Sequence, residues 1–312
     1  MNILPRSSRT LFLLAASFAA AAAEDSGAAR DWASLIGNRF KIERDVVYKH
    51  TGALPLKVDV YFRYDRRPGP TVLYIHGGGW ANGSKEQYVL WFLPYLELGM
   101  RVVSVQYRLS GVAPAPAAVE DCRCAFGWVG MNAAKYGIDP KRIVVTGGSA
   151  GGHLALLTGM LDSSVGFDCP EVPPPHAAAI INYYGVTDLA ESIESQNASA
   201  LKWLRGAPDM LKLARRLSPI TYVRPDMPPV LSIHGDADQM VPYSHAVKLH
   251  KALTETRVPN RLVTIPGGKH GRFEWSDADT IRVQRAIESF LGDHHVLDDA
   301  GWRKSTSTER KD

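Results

Sequence analysis

The apolar run Arg142-Ile143-Val144-Val145 leads directly into Thr146-Gly147-Gly148-Ser149-Ala150-Gly151-Gly152-His153 and on through the Ala/Leu-rich stretch Ala150–Asp162. A strand that ends in Gly-x-Ser-x-Gly and continues as a helix must turn sharply at the serine. Glycines two residues before and two after Ser149 leave room for the helix to fold back on the strand. The hydroxyl then stands at a helix N-terminus, where unpaired N–H groups favour a developing negative charge. The plain alternative is a glycine-rich turn that only joins two elements. The remainder of the chain separates the two readings.

Short β-branched or apolar runs recur at Phe40–Tyr48, Leu56–Tyr64, Thr71–His76, Arg101–Tyr107, Arg142–Thr146, Ala178–Tyr184, Val230–His234 and Arg261–Ile265. Helix-like stretches fall among them: Lys85–Leu98, Ala117–Tyr136, Ala150–Asp162, Ser244–Thr254 and Asp277–Leu291. Near-continuous apolar strands alternating with helices predict an α/β fold with a mainly parallel sheet covered on both faces. The first two strands are close enough to begin it as a hairpin. No repeat or linker divides the chain, so a single domain over residues 24–297 is expected. The rhythm breaks between Tyr184 and Pro228. A polar stretch, Asp188–Ser199, precedes Leu201-Lys202-Trp203-Leu204 and the basic amphipathic Met210–Leu217. An insertion there, about 186–227, is expected to be a small helical cap over the carboxyl ends of the strands, where open α/β sheets bind ligands.

A serine hydroxyl needs a base, and the base needs an orienting group. After the run at Val230 comes His234-Gly235-Asp236-Ala237-Asp238-Gln239-Met240-Val241-Pro242, and after the next run comes Pro266-Gly267-Gly268-Lys269-His270-Gly271. Asp238 is the chosen acid. Asp236, immediately after Gly235, reads as a turn residue bonding local backbone. His270 is the chosen base, because it ends a strand on a glycine-flexible loop. His153 is too near Ser149 along the helix, His234 reads as a turn or packing residue, and His294 and His295 lie near the end. The order Ser, Asp, His follows. For the oxyanion, Tyr74-Ile75-His76-Gly77-Gly78-Gly79-Trp80 places three glycines after a strand, and amides there and at Ala150 are expected to converge on one oxygen. A phosphate cradle would need a Lys-Ser/Thr ending or the spaced glycines of a dinucleotide fingerprint, which this loop lacks.

These motifs, with Tyr107-Arg108-Leu109, Pro116-Ala117-Ala118-Val119-Glu120-Asp121 and Tyr184-Gly185-x-x-Asp188-Leu189, resemble the α/β-hydrolase esterase/lipase superfamily. More narrowly they are similar to its bacterial branch near the hormone-sensitive lipases and the feruloyl/acetyl-xylan-type carbohydrate esterases. The likeness spans about Phe40 to Leu291. It implies an α/β-hydrolase fold of about eight strands, with Ser149 as nucleophile, His270 as base, Asp238 as orienting acid, and Gly78, Gly79 and Ala150 as the oxyanion hole. It implies no metal and no cofactor. The lipase branch usually has Asp before the serine, where this chain has Gly148, and its acidic segment after Tyr-Arg-Leu is replaced by Ser110-Gly111-Val112-Ala113. Both departures favour the carbohydrate-esterase side. The expected substrate is a small-molecule or carbohydrate-linked ester. A lipid-ester lipase would want a more apolar cap, and a prolyl-oligopeptidase-type peptidase usually carries a propeller for which this chain has no room. Trp80, Tyr183, Tyr184 and Trp203 are candidates for lining an acyl pocket, or for simple packing.

The ends bear on where the protein works. Arg6 and Arg9 precede the apolar run Leu11–Ala23, which ends in Ala21-x-Ala23 before Glu24-Asp25. That layout is expected of a cleavable signal peptide, residues 1–23, with a run too short to span a membrane comfortably. A secreted or periplasmic mature chain without stable membrane insertion is therefore expected. Losing two arginines lowers the formal net charge of +4 by two, too little and too scattered to suggest nucleic acid. Residues 298–312 read as a loose tail. Of the three cysteines, Cys122 and Cys124 point to different sides of a helix, and Cys169 in a Pro-rich loop is within possible reach of either; free thiols are the expectation.

Overall fold

The runs around Val102, Val144, Ile180 and Leu231 form the buried middle of an eight-stranded sheet in the computed structural model, which describes residues 37–169 and 172–298. The expected signal peptide and all but the first residue of the expected tail lie outside those residues. The described residues fall into two units, one holding residues 37–41 and the other beginning at Ile42. In the first, residues 37–39 are helical and lead into the opening of a strand. The second is described below.

The strands are β1 (Phe40–Thr51), β2 (Leu54–Arg63), β3 (Gly69–Ile75), β4 (Arg101–Val105), β5 (Ile138–Gly148), β6 (Ala179–Tyr183), β7 (Val230–Gly235) and β8 (Asn260–Ile265), in the spatial order β1-β2-β4-β3-β5-β6-β7-β8. β2 pairs antiparallel with β4, and every pairing from β4 through β8 is parallel. Every residue of β4, β6 and β7 is buried, whereas the edge strand β8 is half-buried along most of its length. Burial on both faces is why the central strands read as continuous apolar runs rather than alternating ones.

The helices are α1 (Val89–Glu97), α2 (Ala117–Met131), α3 (Ala133–Tyr136), α4 (Ala150–Met160), α5 (Leu189–Glu194), α6 (Ala198–Trp203), α7 (Met210–Arg216), α8 (Ser244–Glu255) and α9 (Asp277–Asp293). Two helix expectations change. The stretch from Lys85 becomes helical only at Val89, because Lys85 is drawn inward to the buried Asp59 at 2.7 Å and to Asp45 at 3.1 Å. The stretch 117–136 breaks at Asn132 into α2 and α3.

The polar stretch after β6 is helical because its side chains start helices. Asp188 accepts from the amides of Ala190 and Glu191, Asn197 from that of Ala200, and Asp209 from that of Lys212. Each carboxylate or amide oxygen satisfies amides that a short helix leaves without partners. Trp203, the last residue of α6, and Leu204 after it are buried, so the insertion has its own apolar anchor.

The cysteine expectation is corrected for two of the three residues: Cys124 and Cys169 form a disulfide, and only Cys122 remains a free, buried thiol. α2 presents Cys124 and Gly127 on one face, and the loop before β6 lies against that face so closely that a Cβ on Gly127 would strike the carbonyl of Val172. The two Cα atoms come within 5.2 Å, inside the span a disulfide bridges. The Arg123–Asp168 ion pair beside it, 2.5 Å, holds the same two segments together. With a sequence separation of 45 between the cysteines, Cys169→Ser is expected to cost about 2–4 kcal/mol of unfolding free energy in urea denaturation. Equal stability of the variant and the oxidised parent would contradict a bridge in solution.

Candidate active site

β3 and β5 are neighbours, with Ile75 opposite Gly147, so the loop after β3 and the turn after β5 emerge side by side at the carboxyl edge of the sheet. At that turn Ser149 takes φ +58° and ψ −123°, a conformation rare for a residue with a side chain. It is enforced by close packing: a Cβ on Gly147 or Gly151 would collide with the carbonyl of Ile75. The Ser149 N–H donates to the Tyr183 carbonyl at 2.9 Å, tying the turn to β6 as well. Strain at this position exposes the hydroxyl at the start of α4.

Asp238 follows β7 and His270 follows β8, and both reach Ser149. His270 Nε2 lies 2.9 Å from Ser149 Oγ, and His270 Nδ1 lies 2.7 Å from Asp238 Oδ2. An ionised carboxylate only accepts hydrogen bonds, so Nδ1 carries the proton and Nε2 offers a lone pair to the serine hydroxyl. Burial of Asp238 opposes its ionisation, but hydrogen bonds from His234, His270 and the Val241 amide outweigh it and hold the carboxyl well below the usual carboxylate range. Its other oxygen, Oδ1, accepts from the amides of Met240 and Val241 at 2.8 and 2.9 Å. Asp236 instead accepts from the Gly267 amide, 31 residues further on, and ties the loop after β7 to the loop after β8 rather than bonding local backbone.

His234 does more than the turn or packing role read from the sequence. Its Nε2 donates to the Val241 carbonyl at 2.9 Å and also lies 3.4 Å from Asp238 Oδ2, so a second imidazole steadies the acid. The signal was the spacing of His234 and Asp238 across Gly235, which returns the carboxylate to the histidine.

Gly78 and Gly79 take φ +114° and +60°, left-handed conformations that favour glycine. The Gly78 carbonyl accepts from the amides of Ala81 and Asn82, which turns the loop. The Gly78 and Gly79 amides have no acceptor among the hydrogen bonds of the described residues. Ala150 is the first residue of α4, where amides lack an intrahelical partner. Gly78, Gly79, Ala150, Ser149 and His270 all line one cleft of about 660 Å³.

His153, one turn into α4, is fully buried, and burial lowers its pKa to about 4. Its Nδ1 accepts from the Trp80 indole at 3.2 Å, so Nε2 bears the hydrogen and donates to the Leu217 carbonyl at 2.7 Å. One neutral imidazole thus joins the glycine loop after β3, helix α4 and the segment between β6 and β7. Trp203 stacks on Trp80 with ring centroids 4.6 Å apart and planes 5° from parallel. Of the four aromatic lining candidates, Trp80 and Tyr184 line the cleft, and the Tyr184 ring packs edge-on against His270 at 4.9 Å. Trp203 and Tyr183 are buried packing residues. The cleft residues Asn197, Ser199, Trp91 and Phe273 are not legible in the sequence. Their surroundings come from distant loops, and no local pattern marks them.

Among the described residues, no cluster of three or more His, Cys, Asp or Glu side chains is arranged to hold a metal ion, and no helix is long and apolar enough to cross a membrane.

Known proteins are similar to this chain in sequence and in fold. The BD-FAE family model matches residues 58–253, a span that includes Ser149 and Asp238. Esterase LipQ of Mycobacterium tuberculosis is 32% identical over 256 residues, covering 75% of this chain and 58% of its own length. Esterase LipC of the same organism is 30% identical over 276 residues, covering 84% of this chain and 68% of its own. This chain thus spans little more than half of LipQ. Among solved structures, the butyrate-bound esterase 2 of Thermogutta terrifontis has a TM-score of 0.70 at 26% identity, covering 85% of this chain and 97% of that one. A truncated carbohydrate esterase from gut microbiota has a TM-score of 0.69 at 26% identity, covering 82% and 97%. With its eight-stranded α/β-hydrolase fold and a match over more than half its length, the chain belongs to the BD-FAE family within the α/β-hydrolase esterase/lipase superfamily.

Proposed function

We propose that the chain is an exported carboxylic ester hydrolase that works through an acyl-enzyme on Ser149, on esters of carbohydrates or small alcohols. The observation that carries this reading is the hydrogen-bonded chain from Ser149 Oγ through His270 to Asp238, opening into a cleft beside the glycine amides. Ser149 attacks the ester carbonyl as His270 Nε2 takes its proton. Asp238 holds the imidazole in the tautomer that accepts it and stabilises the imidazolium. The amides of Gly78, Gly79 and Ala150 meet the oxyanion, each such donor contributing roughly 3–4 kcal/mol. His270 then protonates the leaving alcohol, water attacks the acyl-enzyme, and Ser149 is released.

Export is supported by the leader-like layout of residues 1–23 and by the Cys124–Cys169 bridge, since disulfides persist in oxidising compartments. Carbohydrate esters are supported by Gly148, where the lipase branch carries an acid, and by the gut-microbiota relative.

The test is hydrolysis of 4-nitrophenyl acetate and acetylated xylan, with an aminoacyl-anilide alongside, before and after treatment with phenylmethanesulfonyl fluoride. Ester turnover should exceed anilide turnover and disappear as one sulfonyl group appears on the Ser149 peptide by mass spectrometry. No ester turnover by the untreated protein, or a labelled Ser149 with full activity, would defeat the proposal.

A further inference from the structure

We propose that the alcohol half of the substrate rests on an aromatic shelf built onto the His270 loop, Phe273 against Trp91. The shelf selects esters whose alcohol carries a ring with a flat apolar face. This rests on the ester-hydrolase reading and assigns a specificity site within it.

Phe273 is 89% exposed and Leu90 74% exposed, and both line the cleft that holds Ser149, together with Tyr88 and Trp91. Single exposed apolar residues are ordinary; a cluster at the mouth of a cleft points to a bound group. The rings form a connected group. Trp91 meets Phe273 edge to face at 5.6 Å and Tyr88 at 5.5 Å.

The shelf is fixed relative to the histidine. Arg272, between His270 and Phe273, lays its guanidinium over the Trp91 ring at 4.2 Å and over Tyr183 at 5.2 Å, and donates to the Trp91 carbonyl at 3.3 Å. Two aromatic faces hold the cation, so the loop is stapled to α1 and to β6.

Chemistry assigns the shelf to the alcohol. The tetrahedral carbon carries Ser149 Oγ, the oxyanion, the alcohol oxygen and the acyl carbon. The oxyanion points at the Gly78, Gly79 and Ala150 amides. The alcohol oxygen must lie within reach of His270 Nε2, which returns its proton. The group attached to that oxygen therefore leaves past the His270 loop, where Phe273 and Trp91 stand. The acyl group is then assigned to the remaining apolar lining of the cleft, Val186, Met240 and Val241. An aryl alcohol and a pyranose offer the same chemistry to the shelf, a ring face rich in C–H or π surface.

The test compares kcat/KM for acetates of methanol, benzyl alcohol and the 6-hydroxyl of methyl glucopyranoside, and for methyl esters of acids from two to eight carbons. The proteins are the parent, Phe273→Ala and Phe273→Trp. Phe273→Ala should lower the ratio of ring-alcohol to methyl acetate kcat/KM by roughly tenfold, and Phe273→Trp should restore it. A fall confined to the benzyl or to the glucoside ester supports the shelf and identifies the alcohol. An equal loss on methyl acetate, or a loss that follows acyl length among the methyl esters, would overturn it. Absence of turnover on every ester by the parent would remove the ester-hydrolase reading itself.

Discussion

Ser149→Ala should lower kcat for 4-nitrophenyl acetate by on the order of 10⁴- to 10⁶-fold, the loss typical when a triad nucleophile is removed. At about 1.4 kcal/mol per decade this is about 5–8 kcal/mol of transition-state stabilisation, more than any single packing contact supplies. The fold should survive. Alanine keeps the Cβ that already occupies the strained turn, and the tie from residue 149 to β6 uses the backbone N–H. The check is kcat alongside a thermal denaturation curve. A variant with a parent-like melting temperature and more than a hundredth of parent activity would mean the reaction proceeds without this hydroxyl.

Asp238→Asn is the second large effect, roughly 10⁴-fold in kcat, and its cause lies in which oxygen does what. Oδ1 accepts from the amides of Met240 and Val241. An asparagine must keep its carbonyl oxygen there, which turns its NH₂ group towards His270 Nδ1. His270 then accepts at Nδ1 and carries its proton on Nε2, facing Ser149 with a donor where a base is needed. The amide bonds to Oδ1 and the His234–Val241 bond persist while the His234 contact to Oδ2 is lost, so the melting temperature should fall only modestly. The double variant Ser149→Ala/Asp238→Asn should be no slower than Ser149→Ala alone, since members of one catalytic unit are not additive. Additive losses would mean that the two residues act independently.

Much of this site can be read along the chain because each part sits at the end of its own strand. Gly78 and Gly79 follow β3, Ser149 follows β5, Asp238 follows β7 and His270 follows β8, so a local run plus a few loop residues suffices to find them. The fold is readable for the same reason, since fully buried parallel strands leave uninterrupted apolar runs. What the chain conceals is contact at long range. Cys169 meets Cys124 across 45 residues, and only the packing at Gly127 explains why Cys122 was not its partner. Arg272 lies between Trp91 and Tyr183, residues with no sequence relation to it. The segment 188–199 reads only as a polar stretch inside the expected helical insertion, because its caps, Asp188 and Asn197, are the same residues that populate loops.

The bond from His153 to Leu217 bears on how such proteins can be recombined. Exchanging the insertion between β6 and β7 for that of a relative is an obvious route to a new ester preference. Here the insertion is not a free-standing module: it brings a carbonyl to the fully buried His153 and a flat ring to Trp80. A transplanted segment without that carbonyl would strand a buried imidazole N–H, at about 1–3 kcal/mol. It would also loosen the tryptophan immediately after Gly79. The junction in such a chimera has to be chosen around Leu217 and Trp203, whatever the loops between them are meant to recognise.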